Sequence, residues 1–230
     1  MAKNSFKEDL LNKNIVIDDS KFKMFEDYYS LLVCENAKYN LTAITDEDEV
    51  YDKHFYDSIS VLFYYDLKGK SVLDVGAGAG FPSMPLKIVE PSIDLYVLDS
   101  TQKRMHFIEM LKEKLDLDKV TTIVSRAEEY KEKKFDVVTA RGVAKLNILL
   151  EISVDLVKQD GYLIFLKGSN YLNEIEEAKS AMKVLGYTLI ETKSYDVKDG
   201  STHYLVTLKK TGKHNQKYPR SYSQIKKKPL

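Results

Sequence analysis

One stretch, residues 71–82, constrains the fold of this chain more than any other. It reads S-V-L-D-V-G-A-G-A-G-F-P, an apolar run that ends in glycines at alternate positions, Gly76, Gly78 and Gly80. The run predicts a buried strand, and the segment 84–89 that follows can form a helix. Glycines between a strand and a helix let a ligand reach backbone N–H groups, because no Cβ blocks the approach. The stretch therefore predicts either a ligand-binding turn or an ordinary glycine-rich turn of an α/β sheet.

The glycine spacing narrows the kind of ligand. A dinucleotide fingerprint requires G-x-G-x-x-G, but Phe81 occupies the third glycine position, and the phosphate-binding pattern G-x-x-x-x-G-K-[ST] does not occur. Asp99 ends the next apolar run, 23 residues after Gly76, at a distance that suits a carboxylate bound to both ribose hydroxyls. A nucleoside without a pyrophosphate therefore fits better than NAD. The pattern D-x-G-x-G-x-G with this acid resembles class I methyltransferases, whose cofactor is S-adenosyl-L-methionine.

Length and composition limit the class of protein. With 230 residues, 43% of them hydrophobic, the chain is expected to form one domain with an appendage. The single cysteine, Cys34, has no internal disulfide partner, which is typical of a reducing compartment. No signal-peptide pattern opens the sequence, and no apolar run approaches the ~18 residues that a membrane span needs. We therefore expect a cytoplasmic monomer without a membrane partner or a metal.

The order of patterns along the chain predicts three parts. Residues 1–66 carry aromatic side chains at helical spacing and predict a helical extension that packs on the core. Residues 67–210 alternate strand and helix patterns, which predicts an α/β, Rossmann-like core with a mostly parallel, seven-stranded sheet. Residues 211–230 lack apolar periodicity and predict a basic C-terminal tail.

Element boundaries follow from the same patterns. Strands are predicted at 71–76, 94–99, 119–124, 135–139, 161–167, 187–197 and 202–209, and helices of the core at 82–90, 101–115, 145–158 and 171–185. The last two strands have no helix between them and predict a hairpin that adds one antiparallel strand. In the extension, Asp18 to Ser20 offer N-caps, and Thr45 with Asp48 resembles a capping box before a second helix. His54 and Asp57 share one face of that helix, and we interpret them as a structural packing contact to the core.

Ligands of open parallel sheets bind outside the carboxyl ends of the strands, so each strand end supplies candidates. The second strand ends at Asp99 and Ser100, the fourth runs into Arg141, and the fifth ends at Lys167. The third runs into residues 125–129, where a backbone N–H and a carboxylate can address the edge of an adenine. The acidic pair in that stretch is equally typical of a helix start, which the helix dipole favours. Arg141 is likewise open to a second interpretation, as a surface arginine in a loop.

The fourth strand end also bears on the reaction. Enzymes that methylate exocyclic amines usually carry (D/N)-P-P-(Y/F) there, whereas this chain has T-A-R-G at 139–142. Methylation of a pyrimidine C5 needs a cysteine nucleophile, and Cys34 lies far from any strand end. Methylation of N7 of guanine needs neither the (D/N)-P-P-(Y/F) motif nor a cysteine nucleophile, because the free lone pair of N7 can attack a methyl sulfonium without a base. Such a site has only to align the nucleophile with the methyl group.

At this point the motifs of the chain resemble one family, the bacterial ribosomal RNA small-subunit methyltransferase G family. They are Y-N-L-T-A-I at 39–44, K-H-F-Y-D-S at 53–58, L-D-V-G-A-G-A-G-F-P at 73–82, L-D-S-T-Q-K-R at 98–104, S-R-A-E-E at 125–129, D-V-V-T-A-R at 136–141, L-K-G at 166–168 and K-Y-P-R at 217–220. The resemblance implies S-adenosylmethionine-dependent methylation of N7 of a guanine in 16S ribosomal RNA, near the decoding site. The partner would be that RNA or the small ribosomal subunit.

The resemblance also implies roles for particular residues. Gly76 and Phe81 would line the cofactor pocket, Ala127 and Glu128 would address the adenine, and Arg141 would border cofactor and substrate. The chain departs from the family at Lys53, where an arginine is usual, and at 140–143, where it has A-R-G-V in place of S-R-A-V. Together with the strand-end candidates, the predicted cofactor residues are Gly76, Gly78, Phe81, Asp99, Ser100, Ala127, Glu128 and Arg141. No catalytic residue is assigned; Arg141 and Lys167 are the candidates to face the substrate.

Charge is distributed unevenly along the chain. From Lys209 to the end there are seven lysines, one arginine and no acid. Because the whole chain has 35 basic and 35 acidic side chains, the remaining 27 basic and 35 acidic ones give the body a charge of about −8. Such a distribution predicts a polyanionic partner at one edge, or else a solvated end. The predicted RNA contacts are Lys217, Tyr218, Arg220, Lys226, Lys227 and Lys228. A catalytically inactive, methyltransferase-like module that binds RNA or the ribosome remains the alternative, whereas the tail disfavours a small-molecule enzyme.

Overall fold

A computed structural model describes residues 2–230 and has one seven-stranded sheet in the order β3-β2-β1-β4-β5-β7-β6. The strands are β1 Ser71–Val75, β2 Asp94–Asp99, β3 Val120–Val124, β4 Phe135–Arg141, β5 Val157–Lys167, β6 Tyr187–Asp196 and β7 Thr202–Lys210. Strands β1 to β5 are parallel, and β7 runs antiparallel to both β5 and β6. The predicted α/β Rossmann-like class, with its final antiparallel strand, is confirmed.

Helices cover both faces of this sheet. They are α1 Ala2–Leu11, α2 Asp19–Tyr39, α3 Glu47–Val50, α4 Asp57–Ile59, α5 Ser83–Val89, α6 Gln102–Lys114, α7 Leu146–Ile152, α8 Tyr171–Glu177, α9 Lys179–Leu185 and α10 Tyr222–Lys227. A π-helical turn, Tyr51–Tyr56, joins α3 to α4, and 3₁₀ turns follow at Ser60–Phe63 and Ala127–Glu129. None of the helices in residues 2–230 has the length and apolar character that crossing a membrane requires.

The helical extension packs its aromatic side chains on one face of the sheet. Phe6 meets Phe25 and Tyr51 edge to face, with ring centroids 5.1 Å apart in both pairs. Phe55 and Tyr28 join the same cluster, and all five rings are buried within a core shared with β1 and β2. Rings of this kind contribute burial and an additional edge-to-face attraction of ~0.5–1.5 kcal/mol per pair. The aromatic stripe of the sequence is therefore core, as its helical spacing indicated.

The predicted boundaries need several corrections. Strand β5 begins at Val157 rather than at 161. Val157, predicted to lie at the end of a helix, pairs with Phe135, and a register shift follows before Val137 pairs with Tyr162. Helix α7 is correspondingly shorter than predicted, and the helix predicted at 171–185 is divided at Ala178. Helix α2 starts after Asp18, whose carboxylate accepts from Lys21 N at 2.8 Å. The cap of α3 is Asp46, which accepts from Glu49 N, and not Thr45.

The expectation of a loose tail after residue 210 is wrong. Arg220 makes a bidentate ion pair with Glu151 of α7, with Nε 2.7 Å from Oε1 and Nη2 2.6 Å from Oε2. The Glu151 side chain is completely buried. Tyr218 and Ile225 are buried in the second hydrophobic core, on the other face of the sheet. The residues that hold this segment, Tyr218, Arg220 and Ile225, are separated by polar residues and lysines and lack the periodicity of a longer helix. The sequence of the segment therefore resembles a disordered end. The C-terminal segment is part of the fold.

Candidate active site at the carboxyl ends of the strands

A cavity of about 300 Å³ opens at the carboxyl ends of β1, β2 and β3. Parallel strands bring their carboxyl ends to one edge, so residues far apart in sequence meet there. The cavity is lined by Val75, Gly76, Leu98, Asp99, Ser100, Arg104, Ser125, Arg126, Ala127, Glu128, Gly142, Val143, Ile152 and Tyr222. We refer to it as the first cavity. It brings together five of the predicted cofactor residues, Gly76, Asp99, Ser100, Ala127 and Glu128.

Asp99 is the buried anion of the first cavity, with only 3% of the residue exposed. Its Oδ1 accepts from Thr101 N at 2.8 Å, and its Oδ2 accepts from Gly78 N at 3.2 Å. The Arg104 guanidinium also reaches Oδ2, at 3.0 Å. Two backbone donors thus fix the carboxylate at the end of β2, and Gly78 acts by positioning Asp99 and not by lining the cavity. An aspartate held in this way is a suitable acceptor for ribose hydroxyls.

Gly76 is the point of closest approach between the first turn and the opposite wall. Its φ is +68°, and a Cβ built there would lie 2.8 Å from Val143 Cγ2. Its N–H donates to Leu98 O at 2.8 Å, so the turn is fastened to β2. A side chain at this position would be strained by its backbone angle and would fill the gap to Val143. Glycine is therefore required by both conformation and space.

A second cavity, of about 580 Å³, adjoins the first. Gly142 and Val143, just after β4, line both cavities and form the wall between them. The second cavity is lined by Ile44, Lys53, His54, Asp57, Arg141, Gly142, Val143, Ala144, Leu166, Lys167, Gly168, Glu174, Asp199 and His203. It is richly charged, and the helical extension supplies part of its wall. A cofactor and a second substrate can thus be placed side by side.

Arg141 organises the second cavity. Its Nη1 donates to Asp57 Oδ2 at 2.7 Å and to Lys53 O at 2.8 Å, and Nη2 lies 3.1 Å from His54 Nδ1. Its Cζ lies 5.0 Å from the centroid of the Phe81 ring. Arg141 is thus not a surface arginine, and it belongs to the second cavity and not the first. The packing contact predicted for His54 and Asp57 exists, and it is made through this guanidinium.

Asp57 is the anion at the centre of this network. Its Oδ1 accepts from Tyr195 Oη and from His203 Nδ1, both at 2.7 Å, while Oδ2 faces Arg141. Burial alone would raise the Asp57 pKa, but the bond from His203, the Arg141 charge and the bond from Tyr195 outweigh it, so that the pKa is lowered. The bond to Asp57 in turn raises the pKa of His203. A buried carboxylate surrounded by donors remains ionised.

His54 is neutral in this setting. Burial, assisted by the nearby Arg141 charge, lowers its pKa to about 4. Its Nδ1 lies 3.1 Å from both Arg141 Nη2 and Lys53 O, and its Nε2 lies 2.8 Å from Thr42 Oγ1. The imidazole also lies over the Phe81 ring, with centroids 4.4 Å apart. Both ring nitrogens of His54 are therefore engaged, which indicates a positioning role.

The remaining predicted site residues lie deeper than expected. Lys167 lines the second cavity but is buried, and its Nζ donates to Ala144 O at 2.8 Å and Glu174 Oε2 at 2.7 Å. Burial lowers its pKa. Phe81 is buried between Tyr28 and His54, behind the second cavity, and among the described residues it lines neither cavity. Phe81 supports the Arg141 guanidinium, and its place in the cofactor pocket stays a prediction.

The predicted RNA contacts divide into two groups. Tyr218 is buried and Arg220 is paired with Glu151, so both hold the C-terminal segment in place. Their packing disfavours the contact with RNA, which stays a prediction. Lys217, Lys226, Lys227 and Lys228 are exposed, and so is Lys213. Within residues 2–230 none of these five lysines forms an ion pair, so they remain candidates for a polyanion.

Sequence reasoning missed several residues of the site, and four of them bear on its chemistry. Arg104 and Tyr222 line the first cavity, and His203 lines the second. Asp74 is fully buried beneath the glycine turn, where its Oδ2 accepts from Ser83 N at 3.2 Å. Asp74 carries a local signal as the acid of D-x-G-x-G-x-G, and Arg104 lies only five residues after Asp99. Tyr222 and His203 reach the site through tertiary packing. In the part of the chain that the structure describes, no group of three or more His, Cys, Asp or Glu side chains is arranged to hold a metal ion.

Comparison with known proteins gives a consistent result. The family model of rRNA small subunit methyltransferase G matches residues 21–203. A relative from Staphylococcus saprophyticus named ribosomal RNA small subunit methyltransferase G is 43% identical, over 97% of this chain and 96% of the relative. A Streptococcus sanguinis protein of the same name is 41% identical and is matched over the full length of both chains.

Solved structures agree on the fold. The M. jannaschii protein TYW2, solved in complex with AdoMet, superposes with a TM-score of 0.55 at 19% identity, over 68% of this chain and 74% of that one. A SAM-dependent O-methyltransferase from Thermotoga maritima gives a TM-score of 0.54 at 18% identity, over 80% of this chain and 73% of that one. At such identities the likeness concerns the fold alone.

Proposed function

Because the chain belongs to the rRNA small subunit methyltransferase G family, we propose that it transfers a methyl group from S-adenosylmethionine to N7 of a guanine in 16S ribosomal RNA. The chain is thus an S-adenosylmethionine-dependent ribosomal RNA methyltransferase, and the guanine and its N7 are the finer part of the proposal. The observation that carries it is the pair of adjoining cavities, which share the Gly142–Val143 wall at the strand ends.

The first cavity suits S-adenosylmethionine. Asp99 offers a fixed carboxylate for the ribose hydroxyls, and the stretch with Ala127 and Glu128 offers a backbone N–H and a carboxylate for the adenine edge. Gly76 leaves room beside Val143 that any Cβ would fill. When bound, the cofactor supplies a methyl group activated by its positively charged sulfur.

The second cavity suits the nucleobase. N7 of guanine has a free lone pair and no proton to lose, so the residues around it need only hold it in line. This agrees with the state of the ionisable groups: His54 has both ring nitrogens engaged, and Asp57 is saturated by Arg141, Tyr195 and His203. Lys167 is held by Glu174. These groups shape the cavity and hold its charges in fixed positions.

Several organisational features belong to the same proposal. We propose that residues 1–66 are an extension that completes the second cavity with Lys53, His54 and Asp57, and that 67–210 form the catalytic core. The 211–230 segment would add the RNA-facing lysines. We further propose that the protein acts in the cytoplasm as a monomer, without a metal, on small-subunit RNA either free or assembled.

The test is methylation of unmodified 16S RNA and of small subunits with S-adenosylmethionine labelled in the methyl group. A 7-methylguanine makes the RNA chain cleavable by borohydride reduction followed by aniline, so the product can be mapped to one nucleotide. We expect label in RNA and a single new cleavage position. Label without such cleavage would overturn the N7 assignment. No label, with no S-adenosylmethionine binding by calorimetry, would favour the inactive RNA-binding module.

A further inference from the structure

We infer that Tyr222, on the C-terminal helix α10, is a cofactor-binding residue that covers the adenine end of the first cavity. The inference rests on the proposed function, since it requires S-adenosylmethionine to occupy that cavity. Tyr222 is half-buried and lines the cavity together with Arg126, Ala127 and Glu128. The Arg126 guanidinium lies 5.6 Å from the centroid of its ring, which places the ring at the end of the cavity formed after β3.

The position of Tyr222 is fixed by its neighbours in the C-terminal segment. Arg220, two residues earlier, is fastened to the buried Glu151 of α7 through both carboxylate oxygens. Ile225, three residues later, is fully buried. Helix α7 itself reaches the first cavity at Ile152. Tyr222 is thus held from both sides, and its place on the cavity wall does not depend on a mobile end.

The chemistry of the ring matches what this end of the cavity lacks. The Asp99 carboxylate and the 125–128 stretch provide polar groups for a nucleoside, but a purine also needs a flat apolar surface. An aromatic ring supplies one, and replacement of such a ring by alanine typically weakens nucleobase binding by about tenfold. The basic C-terminal segment thereby serves two ligands: its exposed lysines are available to RNA, and Tyr222 faces the cofactor.

The test is calorimetric titration of the full-length protein with S-adenosylmethionine and with 5′-methylthioadenosine, which keeps the nucleoside but lacks the amino-acid portion. The variants are Tyr222→Ala, Tyr222→Leu and Tyr222→Phe, with Ser223→Ala as an exposed control on the same helix. The leucine variant retains apolar packing if alanine loosens the helix. Melting temperatures report whether each variant is folded.

We expect about tenfold weaker binding of both ligands for the alanine variant, and a loss of at least about threefold for leucine. The phenylalanine variant and the Ser223 control should match the parent. Parent-like affinity of a folded alanine or leucine variant would overturn the inference while leaving the proposed function intact. A loss confined to S-adenosylmethionine would overturn the adenine placement. If the parent bound neither ligand, the proposed function itself would fail, and this inference with it.

Discussion

Arg141 and Asp57 form a buried ion pair, with 2.7 Å between Nη1 and Oδ2, that joins the end of β4 to the helical extension. Asp57 is only 2% exposed, and Arg141 stands next to the wall that the two cavities share. The extension therefore forms part of the wall of the second cavity and is not only a cover for the sheet. A change at this pair should affect the second cavity more than the first.

The Arg141→Ala variant tests that expectation. It removes the charge and the hydrogen bonds that hold Asp57, Lys53 O and His54 around the second cavity. We expect single-turnover methylation at saturating cofactor and RNA to fall at least about tenfold, while the dissociation constant of S-adenosylmethionine stays within about threefold. Loss of one partner of a buried pair should also lower the free energy of unfolding by about 3 kcal/mol.

Two companion variants separate these effects. Arg141→Lys keeps the charge but not the planar donors, so it should restore stability better than turnover. Asp57→Asn removes the anion while leaving Arg141 in place. If the Arg141→Ala variant methylated at the parent rate, the role of Arg141 in the second cavity would be wrong.

The Asp99→Ala variant tests the ribose site. Hydrogen bonds to an ionised carboxylate are worth roughly 1.5–3 kcal/mol each, so loss of the ribose contacts should weaken S-adenosylmethionine binding at least about tenfold. Calorimetry measures the affinity, and circular dichroism checks the fold. Arg104→Ala is the matched control, because it removes the third donor to Asp99 without removing the carboxylate. We expect Arg104→Ala to weaken S-adenosylmethionine binding less than Asp99→Ala does. Unchanged affinity in a folded Asp99→Ala protein would exclude Asp99 as the ribose ligand.

Asp74 predicts a dependence of stability on pH. Burial raises its pKa to about 7 from the ordinary value of 3.8, although Ser83 N donates to it. Between these two values the folded protein binds a proton that the unfolded chain has released, so the free energy of unfolding falls as pH rises. The Asp74→Asn variant has no carboxyl group at this position, so its free energy of unfolding should not fall with pH in this way. Relative to the parent, the free energy of unfolding of the variant should rise between pH ~4 and pH ~7, by about 4 kcal/mol at most. Above pH ~7 the difference should stay constant.

Denaturant unfolding at pH 5 and pH 8 measures this difference. The Asp136→Asn variant is a control of opposite sign. Burial is outweighed by the bonds from Lys158 and Ser71, which lower the pKa of Asp136. Its replacement should therefore cost the same stability at pH 5 and pH 8, and less only below pH ~4, where a third measurement is made. A difference between Asp74→Asn and the parent that did not change from pH 5 to pH 8 would show that the pKa of Asp74 is the same in the folded and unfolded states, which would refute the raised pKa.

The exposed lysines of α10 and the residue after it predict the salt dependence of RNA binding. The triple variant Lys226→Ala, Lys227→Ala, Lys228→Ala should bind small-subunit RNA more weakly. Each lost contact to a single-stranded phosphate should lower the log–log salt slope by about 0.7, or about 2 for all three. Cofactor affinity should not change, because these side chains lie outside the first cavity. RNA affinity across a salt series measures both quantities.

A triple variant at the opposite edge of the sheet controls for general charge. Lys68, Lys70 and Lys134 are exposed and precede β1 and β4, at the amino ends of the strands. Their replacement by alanine should leave the slope nearly unchanged. Equal slopes for the two triple variants would place the RNA surface elsewhere. Deletion of residues 213–230 is not a clean test, since it removes the buried Ile225 and the cavity residue Tyr222 as well.

The local sequence was sufficient to predict most strands of the sheet and several of the residues that line the first cavity. An apolar strand followed by glycines has few conformations available, and a parallel sheet brings strand ends to one edge wherever its helices lie. Asp99 therefore reaches the first cavity for reasons visible in about 30 residues of sequence. The same reasoning explains the aromatic stripe of the extension, because a helical period of large rings must be buried.

Tertiary packing decided the rest. The basic C-terminal segment could be solvated or packed, and only the buried Glu151 of α7, 69 positions before Arg220, settles which. Likewise Asp57 gains its partners from β4, β6 and β7, at separations of 84 to 146 residues. Such contacts have no local signature, since an ion pair depends on where two distant elements meet. The sequence by itself determined the fold class and the place of Asp99 in the first cavity. The second cavity, the burial of Tyr218 and the ion pair of Arg220 with Glu151 were decided only when the elements packed.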